Sequence, residues 1–177
     1  MSALKSDRRT SQPTMNTHDD ELTAQAEAAG ESIEKSLSVA RELLSMDIAW
    51  IAEFRDGKKV FRIVDGDDRS FGFSEGDAMP LDRSYCQRVA EGTIPNVIGD
   101  TSAEPGVRDL EVTVSARIGS YIGVPIELVD GTVYGTLCVA SHRPSNELAA
   151  RDADFLRGVA RRVATELEDM RMSAAYG

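Results

Sequence analysis

Two cysteines are the residues of this sequence best suited to covalent chemistry. Cys86 lies in the stretch DRSYCQRV at 82–89, next to Arg83 and Arg88, and Cys138 follows 52 positions later. A thiol becomes a nucleophile when nearby positive charge or a helix N-terminus lowers its pKa. Free cysteine is also among the most frequently buried residue types. We favour a buried position for both cysteines, in which Cys86 lines a pocket and Cys138 packs in a strand.

Other chemistry finds little support in the residue types and their spacing. Only His18 and His142 accompany the cysteines, which is neither a spaced zinc site nor a disulfide framework. The chain has no Walker loop, nucleophile elbow, HExxH or kinase motif. We therefore expect no metal site and no catalytic residues, and the sequence predicts that the chain is not an enzyme.

The charge of the chain restricts its partners. The 177 residues carry a net charge of -10, with a pI near 4.7. An acidic field repels nucleic acid and anionic membrane surfaces, so we expect neither as a partner. No apolar run is long enough to cross a bilayer, and the first residues do not form a signal peptide. These features predict a cytoplasmic location, where both thiols would stay reduced.

The pattern of apolar residues divides the chain into an arm, one domain and a short tail. Residues 1–30 contain few large apolar side chains, which predicts a disordered arm. Apolar residues then recur at helical spacing over 31–45 and again over 149–172. The domain is predicted to span 31–172, and residues 173–177 a flexible tail.

Between the two helices the apolar pattern alternates as in strands. Residues 48–55 and 58–64 flank an Asp56-Gly57 turn, and residues 121–128 and 132–140 flank an Asp130-Gly131 turn. Three shorter elements are predicted between the hairpins. The first is a helix from Leu81, with Asp82 or Ser84 near its start and Gly92 after its end. A short strand near 96–98 and a weaker helix near 110–120 follow it. This order predicts an α+β fold: one antiparallel sheet of about five to six strands, with long terminal helices on one face and short helices and loops on the other.

Two segments resemble a known family. The stretch YIGVPIELVDGTVYGTLCVASHRP at 121–144 is similar to the strand, turn and strand by which GAF domains are recognised. NVIGDT at 96–101 resembles the central strand of that family, which ends in an aspartate. The resemblance extends from about Ser32 to Met170 and implies a GAF-like (profilin-like) fold.

The resemblance implies a non-catalytic sensor or regulatory domain that binds a small molecule. The ligand and any cofactor are not specified by the sequence. From their expected places on the sheet, six residues are predicted to line the pocket: Trp50, Tyr85, Cys86, Asp100, Tyr121 and Gly123. The response would pass through the terminal helices to a second copy of the chain, forming a homodimer, or to a signalling protein.

Specialised GAF domains fit less well. Relatives that attach a bilin use a cysteine usually followed by histidine, whereas Gln87 follows Cys86. Haem would need an axial ligand. His142 is the only candidate, and we interpret it as a surface histidine. The residue set of cyclic-nucleotide-binding relatives is not visible as a group.

Two alternatives stay open. One is thiol chemistry at Cys86, as a redox sensor or as a methionine sulfoxide reductase, since family members with that activity use pocket cysteines. It requires the sulfurs of Cys86 and Cys138 to lie close enough for a disulfide. The other is a structural dimerisation module without a ligand, which would have a filled core.

Overall fold

A computed structural model describes residues 17–176 of the chain. The elements are α1 (Thr17–Leu43), β1 (Ile48–Arg55), β2 (Lys58–Gly66), α2 (Asp68–Phe71), β3 (Ala78–Pro80), α3 (Tyr85–Glu91), β4 (Val97–Ile98), α4 (Glu111–Ser115), β5 (Ser120–Glu127), β6 (Val133–Ser141) and α5 (Ala150–Tyr176). Single 3₁₀ turns precede α3 and follow β4.

The strands form one antiparallel sheet in the order β3-β2-β1-β6-β5-β4. Both predicted hairpins are present. Asp56 and Gly57 have φ values of 51° and 71°, the left-handed pair that a tight two-residue hairpin turn requires. The pairing of β5 with β6, which had the strongest sequence pattern, is confirmed in register from Ser120↔Ser141 to Glu127↔Val133.

Each face of the sheet carries its own apolar cluster. On one face α1 and α5 pack over residues such as Ile51, Ile122 and Leu137. On the other face α3, α4 and the connecting loops cover Trp50, Tyr121 and Cys138. The predicted fold class is confirmed, with two long helices on one face and the short helices on the other.

The long helices extend beyond their predicted ends. α1 begins at Thr17, so residues 17–30, which we assigned to a disordered arm, are helical, while the rest of that arm lies outside the described residues. α5 continues to Tyr176, into the predicted tail. Both extensions contain Ala, the residue with the highest helix propensity, and the first also contains Glu. A helix nucleated by packed residues elongates at little cost. Burial was therefore the wrong criterion for where these helices end.

Pro125 lies inside β5 at a position that tolerates it. β4 pairs with β5 only at Tyr121 and Ile122, so the β4 side of β5 is an open edge at Pro125. A proline, which lacks the backbone N–H, is compatible with that edge.

None of the helices in the described part of the chain has the length and hydropathy needed to cross a bilayer.

Candidate functional site

The structure gathers most of the predicted site residues into one buried cluster. Trp50, Tyr85, Cys86 and Tyr121 belong to the core on the face opposite α1 and α5. The ring of Tyr121 lies 4.7 Å from that of Tyr85 and 6.1 Å from that of Trp50. Gly123 pairs with Cys138 across the sheet, so it borders the same cluster.

Asp100 lies apart from this cluster and is exposed. Its carboxylate accepts hydrogen bonds from the backbone N–H and the hydroxyl of Ser102, at 3.0 and 2.6 Å, and thereby caps the turn after β4. That geometry gives Asp100 a structural role, and its contact with a ligand stays a prediction.

Local sequence places Cys86 on the inner side of α3. Ser84 caps the helix by accepting from the N–H of Gln87, and Gly92 ends it in the left-handed conformation, as the sequence indicated. The buried residues of the helix are Tyr85, Cys86 and Val89. Cys86 therefore faces the sheet from the first turn of α3, and its side chain is fully buried.

The two cysteines meet across the core. The Sγ atoms of Cys86 and Cys138 are 4.0 Å apart, and both residues are free thiols with no exposed surface. Cys138 also contacts the hydroxyls of Tyr121 at 3.1 Å and of Thr136 at 3.4 Å. The proximity condition that we set for thiol chemistry is therefore met.

Lys59 is a member of this site that the sequence analysis missed. Its side chain is only 2% exposed, and its Nζ lies 4.2 Å from the ring centroid of Phe61 and 5.1 Å from that of Trp50. A lysine beside a hairpin turn suggests an exposed position. The alternation of β2 was the available signal, because Lys59 and Phe61 are two residues apart and share a face.

Burial and neighbouring charge shift the pKa values of the two thiols in opposite directions. Burial opposes ionisation of Cys86, but the hydrogen bond with Cys138 and the ammonium of Lys59 outweigh it and lower the pKa of Cys86 to about 5. Burial, followed by the adjacent sulfur of Cys86, raises the pKa of Cys138 well above its usual range. The pair therefore holds one proton between two sulfurs, with the negative charge on Cys86.

The tyrosines next to the thiols stay protonated. Burial raises the pKa of Tyr121 far above its ordinary value, and the two cysteines add to the effect. Burial also raises the pKa of Tyr85 to about 12, against the opposing effect of its hydrogen bond with Thr113. Tyr121 can therefore donate its proton toward Cys138 throughout the neutral range.

Trp50 carries a polar atom without a partner. Its side chain is 1% exposed, and its Nε1–H makes no hydrogen bond in the described structure. The indole instead contacts the rings of Phe61 and Phe73, at 6.1 and 5.5 Å between centroids. A buried donor left unsatisfied costs about 1–3 kcal/mol, so an acceptor supplied from outside would be favoured here.

A pocket of about 360 Å³ opens beside this cluster, between β3 and α4. Phe61, Phe73 and Val112 form its apolar wall, and Arg83 and Glu111 bring charge to it. Trp50, Tyr85, Cys86 and Tyr121 lie behind this wall and do not border the pocket directly. The remaining lining residues are Gly72, Asp77, Ala78, Met79, Pro80 and Ser115.

His142 is more constrained than a surface histidine. Its ring stacks on Phe71 at 3.9 Å between centroids, and its two nitrogens lie 2.7 Å from the Ser70 hydroxyl and 2.9 Å from the Arg117 carbonyl. It therefore links α2 to the segments that follow α4 and β6, next to the cluster. Among the described residues, no group of three or more His, Cys, Asp or Glu side chains could hold a metal ion.

Comparisons with known proteins agree with this architecture. A family model described as GAF domain matches residues 29–168. The chain is similar to a GAF domain from an Acinetobacter phosphoenolpyruvate-protein phosphotransferase, with a TM-score of 0.61, 16% identity and coverage of 93% of this chain and 98% of the other. It is also similar to free methionine-R-sulfoxide reductase from Neisseria meningitidis, with a TM-score of 0.64, 19% identity and coverage of 88% and 91%.

A curated relative is a cyclic di-GMP phosphodiesterase from Pseudomonas aeruginosa, 29% identical over 153 residues. The match includes 86% of this chain but only 25% of the relative. The prediction that the chain is not an enzyme is wrong, because this relative is named as an enzyme and a reductase has the same fold. A missing catalytic motif was insufficient reason to exclude catalysis.

Proposed function

The chain belongs to the GAF domain family, as the sequence resemblance predicted, and we propose that it is a sensor domain that binds a small molecule on the sheet face opposite α1 and α5. The observation that carries this proposal is the pocket of about 360 Å³ between β3 and α4. It has an aromatic wall and a few charged groups, the combination typical of small-ligand sites.

The residues around the pocket favour a ligand with an apolar body and a hydrogen-bond acceptor. Phe61 and Phe73 offer ring surface, and Arg83 offers a guanidinium at the pocket. Behind the wall, the N–H of Trp50 has no acceptor among the described residues. A ligand that displaces the Phe73 ring would reach Trp50 and, beyond it, Tyr121 and Cys86. The predicted site residues of the buried cluster, without Asp100, would then form the deep part of the site.

A blocked pocket tests this proposal. Ser115 is exposed and lines the pocket, whereas its neighbour Val114 is exposed on α4 and does not line it. Ser115→Tyr should abolish the rise in melting temperature that a binding metabolite produces, and Val114→Tyr should preserve it. A metabolite panel that stabilises neither the wild-type protein nor Val114→Tyr, or that stabilises Ser115→Tyr equally, would contradict the proposal.

The output would pass through α1 and α5. Val39, Leu43 and Phe155 expose 45%, 68% and 39% of their surface along the groove between these helices. Apolar side chains grouped on a surface mark interaction sites, and we propose that a second copy of the chain covers them. The resulting homodimer, or a signalling protein in its place, would sense the ligand through the packing of α1 on α5.

The regulated activity would lie outside this domain. In the Pseudomonas aeruginosa relative, three quarters of the protein lies beyond the matched region. This arrangement supports a role for the chain in controlling an enzyme, with turnover of cyclic di-GMP as the candidate reaction. We place the protein in the cytoplasm, consistent with its two free thiols.

Thiol chemistry at Cys86 is a second candidate function, favoured by the 4.0 Å between the two sulfurs. In this function the dithiol would reduce a small oxidised substrate that enters from the pocket. Incubation with methionine sulfoxide and a thiol reductant tests it, since turnover should disappear in Cys86→Ser.

A further inference from the structure

The buried ammonium of Lys59, close to the two sulfurs, has no role in either function proposed above. Among the side chains that the structure describes, no carboxylate lies within ion-pair distance of its ammonium. Three aromatic rings lie close to the ammonium. Its positive charge helps to lower the pKa of Cys86. Aromatic faces attract a cation but do not neutralise it, so a buried ammonium of this kind needs an anion.

The thiolate of Cys86 provides that anion. A hydrogen bond joins Cys86 to Cys138, and the sulfur of Cys138 in turn lies 3.1 Å from the Tyr121 hydroxyl. Cys86 thus has a cation on one side and a neutral thiol on the other. This arrangement distinguishes an attacking sulfur from a resolving sulfur.

We propose that Cys86 and Cys138 form a redox site that reduces hydroperoxides, with Cys86 as the attacking thiolate, Lys59 as its counter-cation and Cys138 as the resolving thiol. The proposal deepens the second candidate function by naming the oxidant class and the role of each residue. It does not depend on ligand sensing in the pocket.

The reaction balances with the residues present. The Cys86 thiolate attacks the outer oxygen of the hydroperoxide, so that an S–O bond forms and the O–O bond breaks. The departing alkoxide takes a proton from Lys59, and Cys86 becomes a sulfenic acid. The Cys138 sulfur then attacks Cys86, the S–S bond forms, the S–O bond breaks, and the hydroxyl leaves as water with the Cys138 proton.

The final state is also electrostatically consistent. Two thiol sulfurs are oxidised by two electrons, and one hydroperoxide is reduced to an alcohol and water. The thiolate charge disappears when the disulfide forms, and Lys59 has lost its proton at the same stage. Lys59 and Cys86 therefore carry no net charge together before or after the reaction, which avoids the cost of a lone buried ion.

Access to the sulfurs passes through the aromatic wall. Lys59 Nζ lies 4.2 Å and 5.8 Å from the ring centroids of Phe61 and Phe73, both of which line the pocket. A small hydroperoxide therefore needs to pass these two rings to reach Cys86. Hydrogen peroxide should react faster than a bulky aryl hydroperoxide for this reason.

Mass spectrometry of the reduced, native protein after hydrogen peroxide treatment tests the proposal. Wild type should form an internal disulfide that a dithiol reductant reverses. Cys138→Ser should instead accumulate a sulfenic acid on Cys86 that a dimedone probe traps. Cys86→Ser should form neither product.

Two lysine variants test the counter-cation. Lys59→Met should slow oxidation by about tenfold or more, because the thiolate loses its stabilising charge. Lys58→Met removes an exposed lysine from the adjacent position and should react at the wild-type rate. If Lys59→Met fails to fold, the wild-type protein and the cysteine variants still decide the matter. A wild-type protein whose thiols survive peroxide, or a sulfenic acid on Cys138 in place of Cys86, overturns the proposal, as does an unchanged rate in folded Lys59→Met.

Discussion

The hydroxyl of Tyr121 lies 3.1 Å from the sulfur of Cys138, although the two residues are not directly opposite in the sheet. Tyr121 pairs with Ala140, and Cys138 pairs with Gly123. The tyrosine side chain reaches its sulfur by lying along β5 over Gly123, in the space that a Cβ at this position would occupy. The absence of a side chain at position 123 therefore creates the Tyr121–Cys138 contact.

Gly123→Ala should destabilise the protein by about 1–3 kcal/mol, because the new methyl group would displace the Tyr121 ring in a filled core. Chemical denaturation of the reduced protein measures this free energy. Gly30→Ala is the matched control, since a Cβ at Gly30 in α1 meets no atom of the described residues within 4 Å. It should leave stability unchanged or raise it by up to about 1 kcal/mol. Equal effects of the two substitutions would show that Tyr121 moves without cost.

The sequence predicted the parts of the fold that depend on local pattern. The alternation around Asp56-Gly57 and Asp130-Gly131 was sufficient for both hairpins, and Ser84 and Gly92 marked the ends of α3. Burial on one face of the sheet fixes such a register, because a shift of one residue would expose the whole apolar face.

The contacts that define the site depend on pairings that no local pattern contains. Trp50 lies opposite Cys138 only because β1 pairs with β6, and these strands are separated by most of the domain. Cys86 reaches Cys138 only because α3 packs on that part of the sheet. Lys59 was missed for a different reason, since a charged residue is rarely fully buried and general tendencies place it outside.

The stability of the reduced protein should depend on pH through Cys86. The folded state lowers the pKa of this thiol from 9.0 to about 5, against burial, through Cys138 and Lys59. At intermediate pH the folded state thus binds fewer protons than the unfolded state, and its stability rises with pH. The contribution is complete above about pH 9 and is lost as the pH falls toward 5.

Denaturation of wild type and Cys86→Ser across that pH range measures the effect. The difference in unfolding free energy between the two proteins should grow from acid to alkaline pH. Ultraviolet absorbance of the thiolate, present in wild type and lost in Cys86→Ser, provides an independent signal at neutral pH. A difference that is constant with pH would mean that Cys86 is protonated in the folded protein.

Charge at the groove between α1 and α5 should weaken the proposed homodimer. Leu43 is 68% exposed at the end of α1, and Leu43→Glu places a carboxylate in an apolar contact. Sedimentation should show a shift toward monomer, by about tenfold or more in dissociation constant. Val114→Glu changes a residue of equal exposure, 69%, on the opposite face of the sheet and should sediment as wild type. A wild-type protein that is monomeric at high concentration would exclude the homodimer.

Phe73 should control access from the pocket to the buried cluster. Trp50 is the only tryptophan in the chain, and it is 1% exposed behind the Phe73 ring, so its fluorescence reports on that wall. Acrylamide should quench the wild-type protein weakly. Phe73→Leu keeps an apolar side chain but removes the ring and should increase both the quenching of Trp50 and the rate at which peroxide oxidises Cys86. Phe155→Leu, on α5 across the sheet, should change neither. If quenching rises in Phe73→Leu while oxidation stays at the wild-type rate, hydroperoxides reach the sulfurs by another path. If neither changes, the ring of Phe73 does not control access from the pocket to the buried cluster.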